Sequence, residues 1–371
     1  MSGSFGTDLP VPARGDLTLY LVGPGVGESI VAIMPDLRAV VVDVCEHGTA
    51  NLTLDLLATL DVAAVDLMVI SHPDLDHVRG LDELLTKKPP TELWRYPLEP
   101  RAREFALGWA RRRKKTPLAN ALAALGSFLR KSDSETFSAT YGDRLWPHDS
   151  ASYRIHALAP TTYDLDLALR AWDRRLARGS AALDKWLDEV VTGKRPLGDT
   201  PNLVSLALTI EYGARRVLLG GDVLCGTKSP KSGWKGVERL LKKHGRLHLL
   251  QALAAVKVPH HGSPGAFDAN TWAHHSTGAA AGEPIALIAP YSPSALPHQS
   301  TLMSLRKHAR TLLITDGGNS GTAKLSGAGW STAAATHVVR MSRTAAPCVA
   351  LQIGQAGAVR VYASAGALAA Q

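Results

Sequence analysis

The chain has 371 residues, is 45% hydrophobic and carries a formal net charge of +8, with a sequence pI near 9.4. That length suits one large domain or two ordinary ones with a sizeable core, and the basic balance favours an anionic partner through steering. Three separated cysteines, Cys45, Cys225 and Cys348, give neither a disulfide framework nor a cysteine-based zinc site, and no apolar run reaches the roughly 18–20 residues of a membrane span.

The opening MSGSFGTDLPVPARGDL has no apolar h-region, so no secretory leader is expected and a soluble, cytoplasmic protein is. From 16 to 44, DLTLYLV, ESIVAIM and RAVVVDV are β-branched runs broken by Gly- or Pro-containing turns, the pattern of three short strands. LDLLATL has helical spacing. DLMVIS is a short apolar strand that runs into ISHPDLDHVRG, and VRGLDELLT starts a helix just after His77. The texture changes between 97 and 196. REFALGWARRRKK, LANALAALGSFLRK, LDLALRAWDRRLAR and AALDKWLDEVV place apolar residues three and four apart. This region reads as a mainly helical insertion, interrupted near 141–159 by a strand pair that includes YRIHALAP. NLVSLALTIEYG and ARRVLLGGD then form a hairpin about Gly213, VERLLKKHG a helix, AAVKVPHHGS and PIALIAP strands with polar ends, and LMSLRKHA a helix. HVVRMS, CVALQIG and AVRVYAS read as further strands, and ASAGALAAQ as a loose terminus. No internal repeat is visible. Strands cluster in both halves, so the expected fold is α/β (α+β): one domain over 1–371, an αββα sandwich in which polar strand ends meet along one edge.

The densest chemistry lies at ISHPDLDHVRG, where His72, Asp74, Asp76 and His77 fall within six positions. Imidazole and carboxylate together suit Zn²⁺ or Mn²⁺. Leaving a strand, His72, Asp74 and Asp76 would face one side. Asp76 and His77, being adjacent, would diverge, which suits two metal positions better than one. A solvated turn with an N-capping aspartate would account for one carboxylate, but not for four ligand types beside an apolar strand. Three later positions share this character. Asp222 ends VLLGG, and taken alone reads as a turn aspartate. His260 and His261 end AAVKVP as a pair. His298 precedes a helix, which it either caps or leaves for a functional role.

Five ordered segments together resemble the metallo-β-lactamase fold hydrolases, and within them the metallo-hydrolase domain of ComEC-type DNA-uptake proteins. These segments are GVGESIVAIMPDLRAVVVD, SHPDLDHVRG, NLVSLALTIEYGARRVLLGGD, VKVPHHGS and LPHQSTLMSLRKHARTLLITD, and they cover roughly 16–80 and 200–320. The departures are Glu28 for the family's turn Asp, a single Asn202 followed by Leu203 for an Asn pair, and Pro297 for the Gly before the last His. The resemblance implies an αββα metallo-β-lactamase sandwich holding two divalent ions, Zn²⁺ or Mn²⁺ with Mg²⁺ as a third candidate. Asp222 would bridge the ions. One would use His72 and Asp74; the other would use Asp76, His77 and one of His260/His261, with His261 favoured because it precedes Gly262. Asn202 stands where other branches carry a third His. Asp76 and Asp222 would be catalytic as well as metal-holding, and His298 or His260 would orient an oxygen or protonate a leaving group. Asp43 would brace the ligand loop, and Asn202 and Ser263 would support the ligands or touch substrate. Adjacent cations would supply a water activated near neutral pH.

The basic balance, this resemblance and the run Arg111-Arg112-Arg113-Lys114-Lys115 point to a phosphodiester, with DNA or RNA as the anionic substrate. The same run also fits a solvated basic helix end, where cations favour the dipole. Trp94, Trp109, Trp146, Trp172, Trp186 and Trp234 are candidates for stacking on bases, although most such residues are core. Two competing readings are a small-molecule ester, lactone or phosphocholine hydrolase, and a metal-stabilised binding or regulatory module without catalysis. No membrane role is expected, and protein partners are not specified by the sequence.

Overall fold

The structure, a computed structural model, describes residues 5, 9–97, 116–131, 135–149, 152–177, 181, 185, 189, 200–226, 229–278, 282–316, 337–340, 346–364 and 366–368. Its strands in chain order begin with β1 (Asp16–Val22), β2 (Ser29–Ile33), β3 (Ala39–Val42), the small hairpin β4 (Glu46–His47) and β5 (Ala50–Asn51), then β6 (Leu67–Ile70), β7 (Glu92–Arg95) and β8 (Glu135–Ser138). The central part of the chain adds β9 (Arg144–Trp146), β10 (Tyr153–Ala159), β11 (Ala207–Tyr212), β12 (Arg215–Leu219), β13 (Leu253–Lys257), β14 (Ile285–Ile288) and β15 (Thr311–Asp316). Last come β16 (His337–Arg340), β17 (Cys348–Gly354), β18 (Val359–Ala363) and β19 (Gly366–Leu368). The helices are α1 (Leu52–Thr59), α2 (Leu75–Val78), α3 (Leu81–Lys87), α4 (Pro117–Lys131), α5 (Thr162–Leu176), α6 (Thr200–Leu203), α7 (Gly233–Lys243), α8 (Ala269–His275) and α9 (Gln299–Leu305).

Two sheets result, in the orders β19-β18-β17-β1-β2-β3-β6-β7-β8 and β16-β15-β14-β13-β12-β11-β10-β9. β2, β3 and β6 are buried at every position, the near-continuous apolar pattern of strands covered on both faces. In the second sheet, alternate residues serve two cores, because successive side chains point to opposite faces. Val217 and Leu219 of β12, with Ile285 and Leu287 of β14, join the core shared with the first sheet. Leu218, Ala286 and Ile288 face the other way, with Trp234 and Val237 of α7, Trp272 of α8 and Leu302 and Leu305 of α9. The layers are therefore helix, sheet, sheet, helix, the sandwich expected from the sequence.

The region 97–196 supplies more than helices. Its described parts include α4, which packs on α3, β8, which pairs in parallel with β7 at the edge of the first sheet, and β9 and β10 at the edge of the second. Trp94, Trp146 and Trp234 are buried, which removes them as exposed stacking platforms. Trp109, Trp186 and the run Arg111–Lys115 lie outside the described residues. Among the described residues no helix is long and apolar enough to cross a membrane.

What positions the site is strand direction. β3 and β6 run parallel in one sheet, and β12, β13 and β14 run parallel in the other. Their carboxyl ends share one edge, where such sheets open a crevice. Bridges from Val26 to Tyr291 and from Val44 to Val78, and the hydrogen bond from Leu206 N to Ser71 O at 3.0 Å, tie the loops of that edge together.

Candidate metal centre

Each candidate ligand sits just past a strand end. Asp43 follows β3, His72 and Asp74 follow β6, Asp222 follows β12, and His260 and His261 follow β13. Asp76 and His77 belong to the one-turn helix α2, with Asp74 at its N-cap. The extended alternation expected from the sequence therefore stops at Asp74. A helix turns its side chains by about 100° per residue rather than 180°. Asp76 and His77 consequently do not diverge: Asp76 Oδ2 lies 3.6 Å from His77 Nε2.

Asp222 is the hub. Its Oδ1 is 3.5 Å from His77 Nε2. Its Oδ2 is 3.7 Å from His72 Nε2, 3.6 Å from His260 Nε2 and 3.9 Å from His261 Nε2. Asp74 Oδ2 is 3.5 Å from His72 Nε2, and His261 Nε2 is 3.0 Å from Asp76 Oδ2. Atoms sharing one ion at about 2.1 Å stand roughly 3–4 Å apart, so these separations are those of a ligand set. The sets His72/His77/Asp222 and Asp76/His77/His261 each bring their ligand atoms within 4.8 Å of one another.

The far side of each ring fixes its proton. Ser71 Oγ donates to Asp43 Oδ2 at 2.6 Å, so it accepts from His72 Nδ1 at 2.9 Å. His77 Nδ1 donates to Asp43 Oδ2 at 2.7 Å, and His261 Nδ1 to Ala289 O at 2.9 Å. Each Nε2 then faces the cluster and can present a lone pair to a cation once any proton there is displaced, as a ligand imidazole must. His72 Nε2, His77 Nε2 and Asp222 Oδ1 are buried and have no hydrogen-bond partner. Buried polar atoms are normally paired, and three orphans gathered around Asp222 fit the binding of a divalent cation.

Charge is concentrated here. Burial alone would push His77 down, but the carboxylates of Asp76, Asp222 and Asp43 lift it well above the ordinary histidine value. Burial opposes ionisation of Asp76 as well, yet His77 and His261 bring its carboxyl down to about 2. Asp222 is likewise held well below the ordinary range against its burial, first by His77 and then by His261. Burial pushes His260 down. Cation binding must displace a proton from this pocket.

The supporting backbone is tightly constrained. His260 and His261 have φ of 49° and 52°, left-handed values uncommon for residues with a Cβ. Gly262 follows at φ +82°, where an added Cβ would meet Pro297 at 2.6 Å. Before Asp222, Gly221 has φ +51°, and a Cβ there would lie 2.2 Å from Leu206 O. Asp222 N in turn donates to Ser205 Oγ at 2.8 Å.

Other expected residues fall around this cluster. Asn202 lies on α6 with a buried, unpartnered Oδ1. Ser263 caps a 3₁₀ turn, accepting from Gly265 N. His298 is the N-cap of α9: its Nδ1 accepts from Ser300 N at 3.3 Å, and its own amide donates to Gly262 O at 3.2 Å. Its exposed ring thus stands beside the His-His-Gly turn, with Nδ1 engaged in the cap. Sequence reasoning missed Ser71, Ser205 and Lys257 as supports, and read Glu28 only as a departure. A lysine in the otherwise apolar strand LAAVK was the available signal.

The sequence model of the metallo-beta-lactamase superfamily matches residues 22–266. No curated protein matches. Among solved structures, the chain is similar to CmlA, a diiron beta-hydroxylase from Streptomyces venezuelae, at 14% identity and a TM-score of 0.38. That alignment covers 82% of this chain and 45% of CmlA, so this chain spans less than half of that protein's length. It is also similar to Zn(2+)-bound PqqB from Methylobacterium extorquens, at 9% identity and a TM-score of 0.39, covering 80% of this chain and 97% of that one. A metallo-beta-lactamase superfamily protein from Sulfolobus tokodaii aligns at 12% identity and a TM-score of 0.28, covering 57% of this chain and 64% of the other. Members of the superfamily are typically metal-dependent hydrolases or related metalloenzymes that bind divalent ions, often two. With its family match over 22–266 and its helix–sheet–sheet–helix layering, the chain belongs to the metallo-beta-lactamase superfamily.

Proposed function

We propose that this protein is a metal-dependent phosphodiester hydrolase of the ComEC-like kind, acting on DNA or RNA. The observation that carries the reading is Asp222. Its buried carboxylate has all four imidazoles around it, His77 nearest Oδ1 and His72, His260 and His261 nearest Oδ2, while Asp76 groups with His77 and His261 and Asp74 with His72. That arrangement supports one cation held by His72, Asp74, His260 and Asp222, and a second by Asp76, His77, His261 and Asp222. Both His260 and His261 are then ligands, and His260 takes the place that Asn202 leaves without an imidazole. Zn²⁺ and Mn²⁺ suit this mixed nitrogen and oxygen set, and Mg²⁺ suits it less.

When bound, two cations supply an acidified water and neutralise charge that develops on the attacked phosphorus. The residues of this chain do the rest. Ser71, Asp43 and Ala289 hold the imidazoles of His72, His77 and His261 with Nε2 toward the cluster. Ser205 holds the amide of Asp222. His260, a quarter exposed with an unpartnered Nδ1, stands at the open side, where an anionic substrate would enter. The net charge of +8 favours the approach of a polyanion, and Arg111–Lys115 are proposed to touch its phosphates.

The test pairs metal analysis of purified protein with hydrolysis of bis-p-nitrophenyl phosphate, single-stranded and duplex DNA, and RNA. Wild type should hold two divalent ions and cleave a phosphodiester. Asp222→Ala should lose metal and at least about a hundredfold in turnover, since it removes the shared carboxylate. Full metal occupancy with full activity in that variant, or cleavage of thioesters and lactones but of no phosphodiester, would overturn the proposal.

A further inference from the structure

Lys257 ends β13, a strand buried at all five positions, and its own side chain is 1% exposed. A buried ammonium is costly unless it is paired and hydrogen-bonded. Glu28, itself 3% exposed, pairs with it through a short contact, and Gly221 O accepts from Lys257 Nζ at 3.4 Å. The carboxylate does more than neutralise the lysine. Glu28 Oε2 has no hydrogen bond and lies 3.3 Å from His261 Nδ1, while Oε1 lies 3.8 Å from His77 Nδ1. Glu28 thus stands behind both imidazoles, on the side away from Asp222. Its amide also donates to Asp76 O at 3.0 Å, so one residue reaches all three of Asp76, His77 and His261.

On the other side of the cluster His72 is held by Ser71, but its two companions are less enclosed. Asp74 and His260 are 24% and 25% exposed, and His260 Nδ1 has no partner. Support of ligands from behind fixes ring orientation and is worth about ten- to a hundredfold in metal affinity. Resting on the two-metal reading above, we infer that Lys257 is a positioning residue: its buried ammonium holds Glu28 behind His261 and His77, and so makes the position formed by Asp76, His77 and His261 the tighter of two divalent-cation positions. The sign of this effect separates it from simple electrostatics. Lys257→Met reads that sign: by charge alone, loss of a lysine this close tightens cation binding, whereas loss of an anchor weakens the tighter step, and a tighter step that strengthens in this variant overturns the inference.

The experiment titrates Co²⁺ into metal-free protein, followed by the visible absorption of the bound ion and by calorimetry. Wild type should bind in two resolved steps. The double variant Lys257→Met/Glu28→Gln removes one cation and one anion and leaves the net charge unchanged. Its tighter step should weaken at least about tenfold, and its looser step should change by less than about threefold. An unchanged tighter step in the folded variant, a loss confined to the looser step, or a wild type with two equal steps overturns the inference. If the double variant does not fold, Glu28→Asp keeps the ion pair but draws the carboxylate back by one methylene. Its tighter step should weaken about threefold or more, and an unchanged step overturns the inference equally. Cobalt binding is read without any hydrolysis. Failure to cleave phosphodiesters therefore bears on the proposed activity alone, and failure here leaves that activity standing.

Discussion

At the scale of single residues, Asp43 shows how one carboxylate organises a site without entering it. Oδ1 accepts from Ser71 N at 2.7 Å, and Oδ2 accepts from both Ser71 Oγ and His77 Nδ1. It occupies a left-handed conformation at φ 60°, which Asp tolerates better than bulkier residues. Asp43→Ala should leave Ser71 and His77 without their acceptor. Metal affinity should fall about 10- to 100-fold, measured by competition with a chromogenic chelator, while far-UV circular dichroism stays unchanged. Wild-type affinity in that variant would show that His77 is oriented by something else. The ligand types themselves were legible in the sequence, because His72, Asp74, Asp76 and His77 are crowded beside an apolar strand. Ser71 and Ser205 were not, since a serine next to a strand end is commonplace and only its partner gives it a role.

At the scale of elements, strands with β-branched, continuously apolar sequences were readable, and so was the hairpin of β11 and β12 about Gly213. β8 was not: its residues ETFS are all exposed, and a short edge strand carries no burial alternation to read. Within the second sheet a polar cluster links three strands. His156 Nε2 on β10 donates to Glu211 Oε2 on β11 at 3.0 Å, and Arg216 Nε on β12 donates to Glu211 Oε1 at 3.0 Å. The hydrogen bond from His156 acts first, burial opposes it, and Arg216 adds to it, so the carboxyl falls from 4.5 to about 2. A depressed carboxyl stabilises the fold fully above its ordinary value and loses that contribution as pH falls through its folded value. The difference in urea midpoint between wild type and Glu211→Gln should therefore be full at pH 6 and shrink between about pH 4.5 and pH 2. A difference independent of pH would assign the effect to packing.

At the scale of the whole molecule, the candidate centre joins the two sheets. His72, Asp76 and His77 come from the first, Asp222, His260 and His261 from the second, and metal bound between them links the layers at one edge. Removal of metal should lower the thermal midpoint by several degrees. An ion present at a thousand times its dissociation constant contributes about 4 kcal/mol to the folded state, and calorimetry with and without chelator measures it. Equal midpoints would place the ion outside this junction. The basic run is tested at the same scale. Changing Arg111, Arg112, Arg113, Lys114 and Lys115 together to Gln should flatten the salt dependence of DNA binding, by about 0.9 in log–log slope for each true phosphate contact. An unchanged slope would mean that the run touches no phosphate.

By itself the sequence determined the layered fold, the strand-end placement of chemistry and most of the candidate ligands. Apolar periodicity is a local property, and imidazole and carboxylate types do not change on folding. Only the tertiary structure decided how those groups face one another. α2 is helical where strand-end alternation predicts divergence, so Asp76 and His77 converge. His298 caps a helix through Nδ1. Glu28 and Lys257, 229 positions apart in the chain numbering, form a buried ion pair behind the cluster. Such pairings depend on which strands run parallel and end on the same edge, and that is set by long-range sheet assembly, not by any residue's neighbours in sequence.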